Sequence, residues 1–451
     1  MEEQRHIVIL GAGESGVGAA ILAQQKGYDV FVSDFGTIHP SYKEELIRLG
    51  IPYEEGKHTE EKIVSAIEVI KSPGIPDKAP IIKKLLEKQT PIISEIEFAG
   101  RYTNAKMICI TGANGKSTTT LLTYHILQNA GLNVGLGGNI GKSFAKQVVT
   151  ENFDYYVLEI SSFMLDNMYQ FRANIAVILN ITPDHLDRYD YQMEKYAASK
   201  FRITQNQTEK DSFIYCADDL EIINGLKKMN IKAKAYSFSL KETTEHTNAY
   251  LENNQITINL RLPNQNPFTM SITELALQGK HNMYNSMASG IIAKVLELRN
   301  QSIRDSMGSF QNIEHRLEHV ASISGIDFVN DSKATNVNST WYALESMPHG
   351  VVLILGGVDK GNDYSMLKDL VRDKVRGIVC LGKNNKAIHD AFEDDIELII
   401  NTTSAQEAVQ MAYHLAKKGD TVLLSPACAS FDLFENYEDR GNQFKKAVKE
   451  L

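Results

Sequence analysis

No apolar run in this chain of 451 residues approaches the length that crosses a bilayer, and no stretch clusters lysine and arginine with interleaved aromatics. The first absence leaves no membrane-spanning helix to expect. The second, with a net charge of −9, argues against nucleic acid as the main partner. Cysteine is scarce. The four residues Cys109, Cys216, Cys380 and Cys428 stand far apart, with neither a zinc spacing nor a disulfide framework. Cys109 and Cys380 lie in apolar, strand-like runs and are expected to be buried thiols. The opening MEEQRHIVIL enters an apparent strand without the regions of a signal peptide, so a cytoplasmic protein is expected. What is present fits a globular chain, 43% hydrophobic and 23% charged, and too long for one ordinary core.

Three strand–helix series follow one another. In the first, HIVIL, a glycine-rich loop with its helix, and YDVFVSD lead into helical KEELIRLG and IIKKLLEKQ, the pattern of a parallel sheet covered by helices. The second has strands at YYVLEI, IAVILNI and SFIYCA. It continues with AYLENNQITINLRLP, whose alternation predicts a half-exposed hairpin, and with a helix from Asn282 to Arg299. The third begins after Gln311 and contains VVLILGG, GIVCLG, IELII and TVLLSP, short unbroken runs that suit strands buried on both faces. The expected fold class is therefore α/β, with three domains in series over 1–94, 95–311 and 312–451.

The richest segment is ITGANGKSTTT, residues 110–120. An apolar strand feeds a turn on Gly112 and Gly115, and Lys116, Ser117 and Thr118 open a helix. Such a turn aims backbone N–H groups at phosphate oxygens. The lysine adds charge there, and the hydroxyl suits Mg²⁺. The usual motif has a glycine where this chain has Ile110, so the loop is a short variant. A nucleoside triphosphate is the expected ligand, with Asn114 among the loop residues.

Other segments give weaker signals. Gly11, Gly13 and Gly16 form G-x-G-x-x-G, with Ser15 inside it, and Asp34 ends the next strand, placed for a ribose hydroxyl. A dinucleotide, another nucleotide, or simple helix–strand packing would each use those glycines. Ser72-Pro73-Gly74 ends another strand and could line the same crevice. Glu159 closes YYVLE beside the phosphate-loop strand, as a Mg²⁺ ligand or as a cap for the next helix. His185, between Asp184 and Asp187, is a metal or phosphate candidate. Lys200 in KYAASKFRI reads as a solvated helix lysine. Arg316 and Lys333 could reach a phosphate, and Asp331 a ribose or metal, unless NDSKATN is a loop with a helix cap at Thr335 or Asn336. Ser425 and Ser430 are placed for an anion, or for plain capping, where SPACASFDLFENYEDRGNQF opens a helix.

Taken in order, these motifs closely resemble the ATP-dependent Mur ligases over nearly the whole chain. The resemblance rests on T-G-x-N-G-K-S-T, G-G-N-I-G at 137–141, L-E-x-S-S, T-P-D-H-L-D, Y-x-x-x-K at 196–200, H-N, H-R and N-D-S-K-A-T-N. The closing S-P-A-C-A-S-x-D-x-F…R-G-x-x-F points to the branch that adds D-glutamate to UDP-N-acetylmuramoyl-L-alanine. It implies a Rossmann-like first domain, a P-loop-type mononucleotide-binding central domain and a Rossmann-like last one. It implies ATP phosphates on Lys116 and Ser117, with Glu159 as a further ligand of the first Mg²⁺. It reverses the plain reading of Lys200, which becomes a carbamoylated lysine holding a second Mg²⁺ with His185. Asn282, Asn285, Arg316 and Asp331 match nucleotide contacts, and Lys333 lies beside the reacting phosphates. Asn139 and Ser161 match contacts to the muramoyl substrate, and the Gly11–Gly16 loop, Asp34 and Ser72 then hold UDP. Thr335, Lys360, Ser430 and Tyr437 match the D-glutamate pocket, where some relatives carry phenylalanine in place of Tyr437.

The implied reaction is an amide-bond ligation through an acyl phosphate, in peptidoglycan precursor synthesis, by a protein expected to be monomeric. The rival expectations are a folylpolyglutamate synthase-like ligase, which shares the ATPase core, and an NAD(P)-dependent or nucleotide-sensing protein built on the first domain.

Overall fold

The computed structural model describes residues 5–241, 247–263, 265–310, 314–359 and 361–451. Lys360 and the expected boundary at 311–312 lie outside the described residues. The chain forms two compact units, Met1–Gln278 with Asn282–Phe310, and Gly279–His281 with Gln311–Leu451.

The first unit contains two sheets. β1 (His6–Leu10), β2 (Asp29–Asp34), β3 (Tyr53–Glu55), β4 (Glu68–Lys71) and β5 (Ile92–Ile93) form an all-parallel sheet in the order β3-β2-β1-β4-β5. Ile7, Val8, Ile9 and Leu10 are fully buried, as a central strand covered on both faces requires. Leu10 pairs with Ser33 on one side and Lys71 on the other. The loops after β1, β2 and β4 therefore open at one edge, where the strand order reverses and a crevice forms.

The second sheet is built from β6 (Lys106–Thr111), β7 (Val134–Gly138), β8 (Tyr155–Glu159), β9 (Ile175–Ile178), β10 (Ser212–Cys216), β11 (Lys234–Ser239), β12 (Ala249–Glu252), β13 (Gln255–Ile258) and β14 (Phe268–Ser271). Its order is β14-β13-β12-β11-β10-β9-β6-β8-β7. β6 lies between β8 and β9, with Ile110 opposite Glu159 and Thr111 opposite Ile178. The phosphate loop, Glu159 and the segment after β9 thus share one sheet edge. The expected hairpin is β12–β13, antiparallel and closed by Asn253 and Asn254, both in left-handed backbone (φ 49° and 59°) that suits a tight hairpin turn. The expected helix over 282–299 runs instead over Lys280–Val295. Glu297 takes φ 59° and breaks it before a second helix, Asn300–Ser309.

The second unit has one sheet of β15 (Glu318–Ile323), β16 (Ile326–Asn330), β17 (Val351–Leu355), β18 (Val375–Leu381), β19 (Ile399–Thr402) and β20 (Thr421–Leu424), in the order β15-β16-β20-β17-β18-β19. Three of the four apolar runs of the third series are the buried parallel strands β17, β18 and β20; the fourth, IELII, overlaps β19 only at Ile399 and Ile400, and β19 is an edge strand that is only partly buried, contrary to the expectation. The antiparallel β15–β16 pair, turned at Ser324 and Gly325, was not legible, because its polar edge strand EHVASI lacks an apolar run. All four cysteines are buried. Among the described residues no helix is long and apolar enough to cross a membrane.

Candidate active site

Gly115 caps the helix Lys116–Asn129 in left-handed backbone, φ 80°. A Cβ there would lie 2.4 Å from Asn285 Oδ1, so glycine is needed for both conformation and space. Asn285 accepts from Thr119 Oγ1 at 3.1 Å and donates to Asn282 Oδ1 at 3.1 Å. These two asparagines, far away in sequence, are thus built into the floor of the phosphate loop. Ser117 and Thr118 occupy the first turn of its helix.

Asn180 shapes the same loop and carried no expectation. Its Oδ1 accepts from the backbone N–H of Ala113 at 3.0 Å and of Asn114 at 2.8 Å, and its Nδ2 donates to Asn114 O at 3.0 Å. Asn114 Nδ2 donates to Thr182 Oγ1 at 3.3 Å. The signal was a single amide at the end of an apolar strand, which resembles any turn residue.

Lys200 overturns the plain reading of a solvated lysine. It is 2% exposed, on the face of helix Met193–Phe201 that also buries Tyr196 and Phe201. Its Nζ donates to Gly112 O at 2.7 Å and lies 4.5 Å from the Tyr196 ring centroid. Lys116 Nζ donates to Gly112 O at 2.9 Å and to Ala113 O at 2.7 Å. Burial first, and the Lys116 charge second, hold the Lys200 amine well below the usual lysine range.

Glu159 does not cap the next helix. Ser161 does, accepting from Met164 N at 3.3 Å. Glu159 is 1% exposed; Oε1 accepts from Asn139 Nδ2 at 2.8 Å, and the Glu159 carbonyl accepts from Asn139 N at 2.9 Å. Gly138 makes this approach possible, since a Cβ on it would lie 2.2 Å from the Glu159 carbonyl oxygen. Glu159 Oε2 is buried and has no hydrogen-bond partner among the described residues. A buried carboxylate oxygen left unpaired beside a phosphate loop fits a hard divalent cation. His185 stands more open, in left-handed backbone (φ 52°), with Nε2 3.6 Å from Asp184 Oδ1 and its ring edge-on to Phe163. Among the described residues no three His, Cys, Asp or Glu side chains form a ready metal cluster. The residues expected to hold a cation offer a hydroxyl, a carboxylate, an imidazole and a buried amine.

At the crevice of the first sheet, Gly13 caps helix Glu14–Gln25, whose first turn holds Ser15. Asp34 accepts from Ala12 N at 2.7 Å through Oδ2 and from Gly36 N at 2.8 Å through Oδ1. It therefore braces the glycine loop whatever else it binds. Gly11 (φ 91°) lies so close to Ser72 that a Cβ would come within 2.5 Å of Ser72 Oγ. The structure thus brings Gly13, Ser15, Asp34 and Ser72 to one edge.

In the second unit, Asp331 is 1% exposed and accepts from Ser425 Oγ at 2.9 Å and Leu317 N at 3.3 Å, with Arg316 Nη1 3.8 Å away. Burial pushes its carboxyl up to about 6, against the Arg316 charge. Asn336 caps helix Val337–Ser346, accepting from Ser339 N at 2.8 Å, so the capping alternative holds for Asn336 and not for Thr335. Lys333 Nζ lies 5.4 Å from the Tyr437 ring centroid. The expectation that Ser425 and Ser430 sit at a helix N-terminus is corrected. Both are buried, and the helix opens only at Tyr437, where Asn436 caps it. What joins these loops is Arg440, quoted in the closing motif without a role. Fully buried, it donates to Ser332 Oγ and O, Gly356 O and Cys428 O, at 2.9–3.4 Å. Burial lowers its guanidinium to about 10. The described residues of the D-glutamate set, Thr335, Ser430 and Tyr437, belong to this unit.

Comparison with known proteins bears on the whole chain. Three family models match in series: the Mur ligase MurD-like N-terminal domain over 5–94, the Mur ligase middle domain over 110–293 and the Mur ligase glutamate ligase domain over 315–428. The chain is 57% identical over 447 residues to a UDP-N-acetylmuramoylalanine–D-glutamate ligase of Porphyromonas gingivalis, covering 99% of this chain and 98% of the relative. It is 59% identical over 449 residues to the protein of that name from Bacteroides fragilis, covering 99% and 100%. Two Thermotoga maritima structures share the fold. The UDP-N-acetylmuramate-alanine ligase MurC has a TM-score of 0.63 at 18% identity, covering 99% of each chain. A MurF ligase in complex with ADP has a TM-score of 0.61 at 14% identity, covering 93% of this chain and 95% of that one. Neither the folate-type nor the NAD(P)-dependent alternative is favoured by these matches. With three α/β domains in series, each matched by its own model in the same order, the chain belongs to the Mur ligase family.

Proposed function

We propose that this protein is an ATP-dependent carboxylate–amine ligase that joins D-glutamate to UDP-N-acetylmuramoyl-L-alanine in cytoplasmic peptidoglycan precursor synthesis, acting as a monomer. One observation carries the reading furthest. A buried lysine of depressed basicity shares a carbonyl with the phosphate-loop lysine, and on the strand paired with the one that feeds this loop a buried carboxylate oxygen has no partner among the described residues. That grouping suits two cations beside a triphosphate, and it supplements a family match that spans the chain.

The residue roles follow. Segment 1–94 binds the UDP substrate through Gly13, Ser15, Asp34 and Ser72. Segment 95–311 binds ATP through Gly112, Asn114, Gly115, Lys116, Ser117, Thr118, Asn282 and Asn285, and the muramoyl part through Asn139 and Ser161. Segment 312–451 supplies Arg316 and Asp331 to the nucleotide, Lys333 to the reacting phosphates, and Thr335, Lys360, Ser430 and Tyr437 to D-glutamate. Ser117, Glu159, His185 and the carbamate of Lys200 would hold Mg²⁺, which, when bound, offsets charge between the triphosphate and the acceptor carboxylate.

A carboxylate is a poor acyl donor. Its oxygen therefore attacks the γ-phosphorus, the bond to the β-phosphate oxygen breaks, and ADP leaves. The neutral amine of D-glutamate then adds to the acyl carbon. The tetrahedral adduct collapses with loss of phosphate, and the amine proton passes to solvent or to a nearby base. Lys116 stabilises the charge that accumulates in the first step, and the loop whose shape Asn180 holds orients the phosphates. The test is phosphate release with ATP, Mg²⁺, UDP-N-acetylmuramoyl-L-alanine and a panel of amino acids. Release with D-glutamate supports the reading. Equal turnover with L-glutamate, or turnover only with diaminopimelate or L-alanine, overturns it.

A further inference from the structure

Arg188 has no part in the scheme above, yet it joins two of its sites. It ends the short turn Leu186–Arg188 that follows His185. Its guanidinium reaches away from its own segment. Nη1 donates to the carbonyl of Pro73 at 3.1 Å and Nη2 to that of Gly74 at 2.9 Å. These carbonyls belong to the Ser72-Pro73-Gly74 loop at the end of β4, whose Ser72 packs on Gly11 of the glycine loop. The guanidinium carbon also lies 4.2 Å from the centroid of the Phe163 ring. His185 meets the same ring edge-on at 5.2 Å, and Tyr189 stacks on it at 6.3 Å. Tyr189 is itself fixed by its hydroxyl, which donates to Asp166 Oδ2 at 2.9 Å.

This arrangement suits arginine alone. A planar fork offers two parallel donors to two successive carbonyls while its face lies on an aromatic ring. An ammonium could satisfy one of these demands at a time. The acceptors are backbone atoms, so the contact registers where the loop is rather than which side chains it carries. The ring is shared, so a shift of the loop moves Arg188 and with it the packing of His185, three residues earlier.

We propose that Arg188 is a positioning residue that couples the Ser72–Gly74 edge of the nucleotide crevice to the seating of His185. The proposal rests on the reading that UDP fills this crevice and that His185 helps to hold Mg²⁺. Filling the crevice steadies the loop, the loop holds Arg188, and Arg188 with Phe163 holds the imidazole. By reciprocity, Mg²⁺ must then tighten the UDP substrate by the same factor by which the substrate tightens Mg²⁺.

The experiment is calorimetric binding of UDP-N-acetylmuramoyl-L-alanine to the full chain, without ATP, with and without Mg²⁺, for wild type, Arg188→Lys, Arg188→Ala, Phe163→Leu and Phe163→Tyr. Steady-state kinetics accompany it. Wild type should bind more tightly with Mg²⁺, by fivefold or more. Both Arg188 variants should lose that enhancement and need about tenfold more Mg²⁺ for half-maximal turnover, with the KM for D-glutamate unchanged. Phe163→Tyr should keep the enhancement and Phe163→Leu should lose it. Arg188→Lys carries the test alone if Arg188→Ala does not fold. Arg188 variants that melt earlier but keep the wild-type enhancement would show a merely structural contact and overturn the proposal. Wild type that binds the substrate with no enhancement overturns it too. Wild type that binds no UDP substrate at all overturns the underlying reading, which is a distinct result.

Discussion

Lys200 and Lys116 donate to the same carbonyl oxygen, that of Gly112, at 2.7 and 2.9 Å. Burial first, and repulsion from the Lys116 ammonium second, favour the neutral amine at Lys200. Only a neutral amine adds to carbon dioxide, so the proposed carbamate has its precursor here, and it would supply oxygen donors where an ammonium would repel a cation. Labelled bicarbonate should give one carbamate ¹³C resonance in wild type and none in Lys200→Ala. Lys200→Ala should lose at least a hundredfold in kcat, about 3 kcal/mol of barrier, and a short carboxylate should restore part of it. Turnover like wild type at saturating Mg²⁺ would refute the role.

Asn180 is expected to matter for ATP as well as for stability. Its amide organises two loop N–H groups and one loop carbonyl. Asn180→Ala should weaken ATP binding about tenfold, or about 1.4 kcal/mol, while costing about 1–2 kcal/mol of stability for the hydrogen bonds lost. Asn180→Asp keeps the acceptors but places a negative charge beside the phosphates. It should therefore bind ATP less tightly than the alanine variant, the reverse of what shape alone predicts. Calorimetry with ATP and thermal unfolding separate the two effects.

Gly115→Ala should fail for two independent reasons. The residue sits at φ 80°, and the new methyl would lie 2.4 Å from Asn285 Oδ1. Backbone strain of about 1–2 kcal/mol adds to a displaced Asn285, which would release Thr119 and Asn282. ATP affinity should fall more than tenfold, and Asn285→Ala in the same background should recover stability without recovering affinity. Recovery of both would show that Asn285 is only a spacer.

These residues also show what a sequence discloses. The phosphate loop was legible because glycine, lysine and a hydroxyl must stand in that order at a strand end. The central parallel strands were legible because burial on both faces writes an unbroken apolar run, as in β1 and β17. Lys200 was misread because a lysine is normally solvated, although its spacing of four from Tyr196 places both on one helix face, and that face is buried. Asn180 and Arg440 were missed for a different reason. Each binds backbone atoms of loops distant in sequence, and no local pattern announces a contact that exists only after the chain has folded.

Glu95 provides a pH test that is independent of turnover. It is buried in the helix Glu95–Gly100, where Oε1 accepts from Ser143 Oγ at 2.5 Å and Ala145 N at 2.8 Å. Burial raises its carboxyl to about 7, although those two hydrogen bonds pull the other way. A folded-state value above the unfolded one means that the folded protein binds the proton more tightly. The stability contributed by Glu95 is therefore complete below the unfolded value, near 4.5, and is lost as pH rises through about 7. Glutamine keeps an acceptor for Ser143 and Ala145 and does not titrate. Relative to wild type, Glu95→Gln should thus gain stability between pH 4.5 and 7 and hold that gain above it, on the order of 3 kcal/mol at most. Urea unfolding of both proteins across this range measures the difference directly. Parallel curves would mean that Glu95 titrates alike in the folded and unfolded chains, and that the Ser143 and Ala145 contacts offset its burial in full.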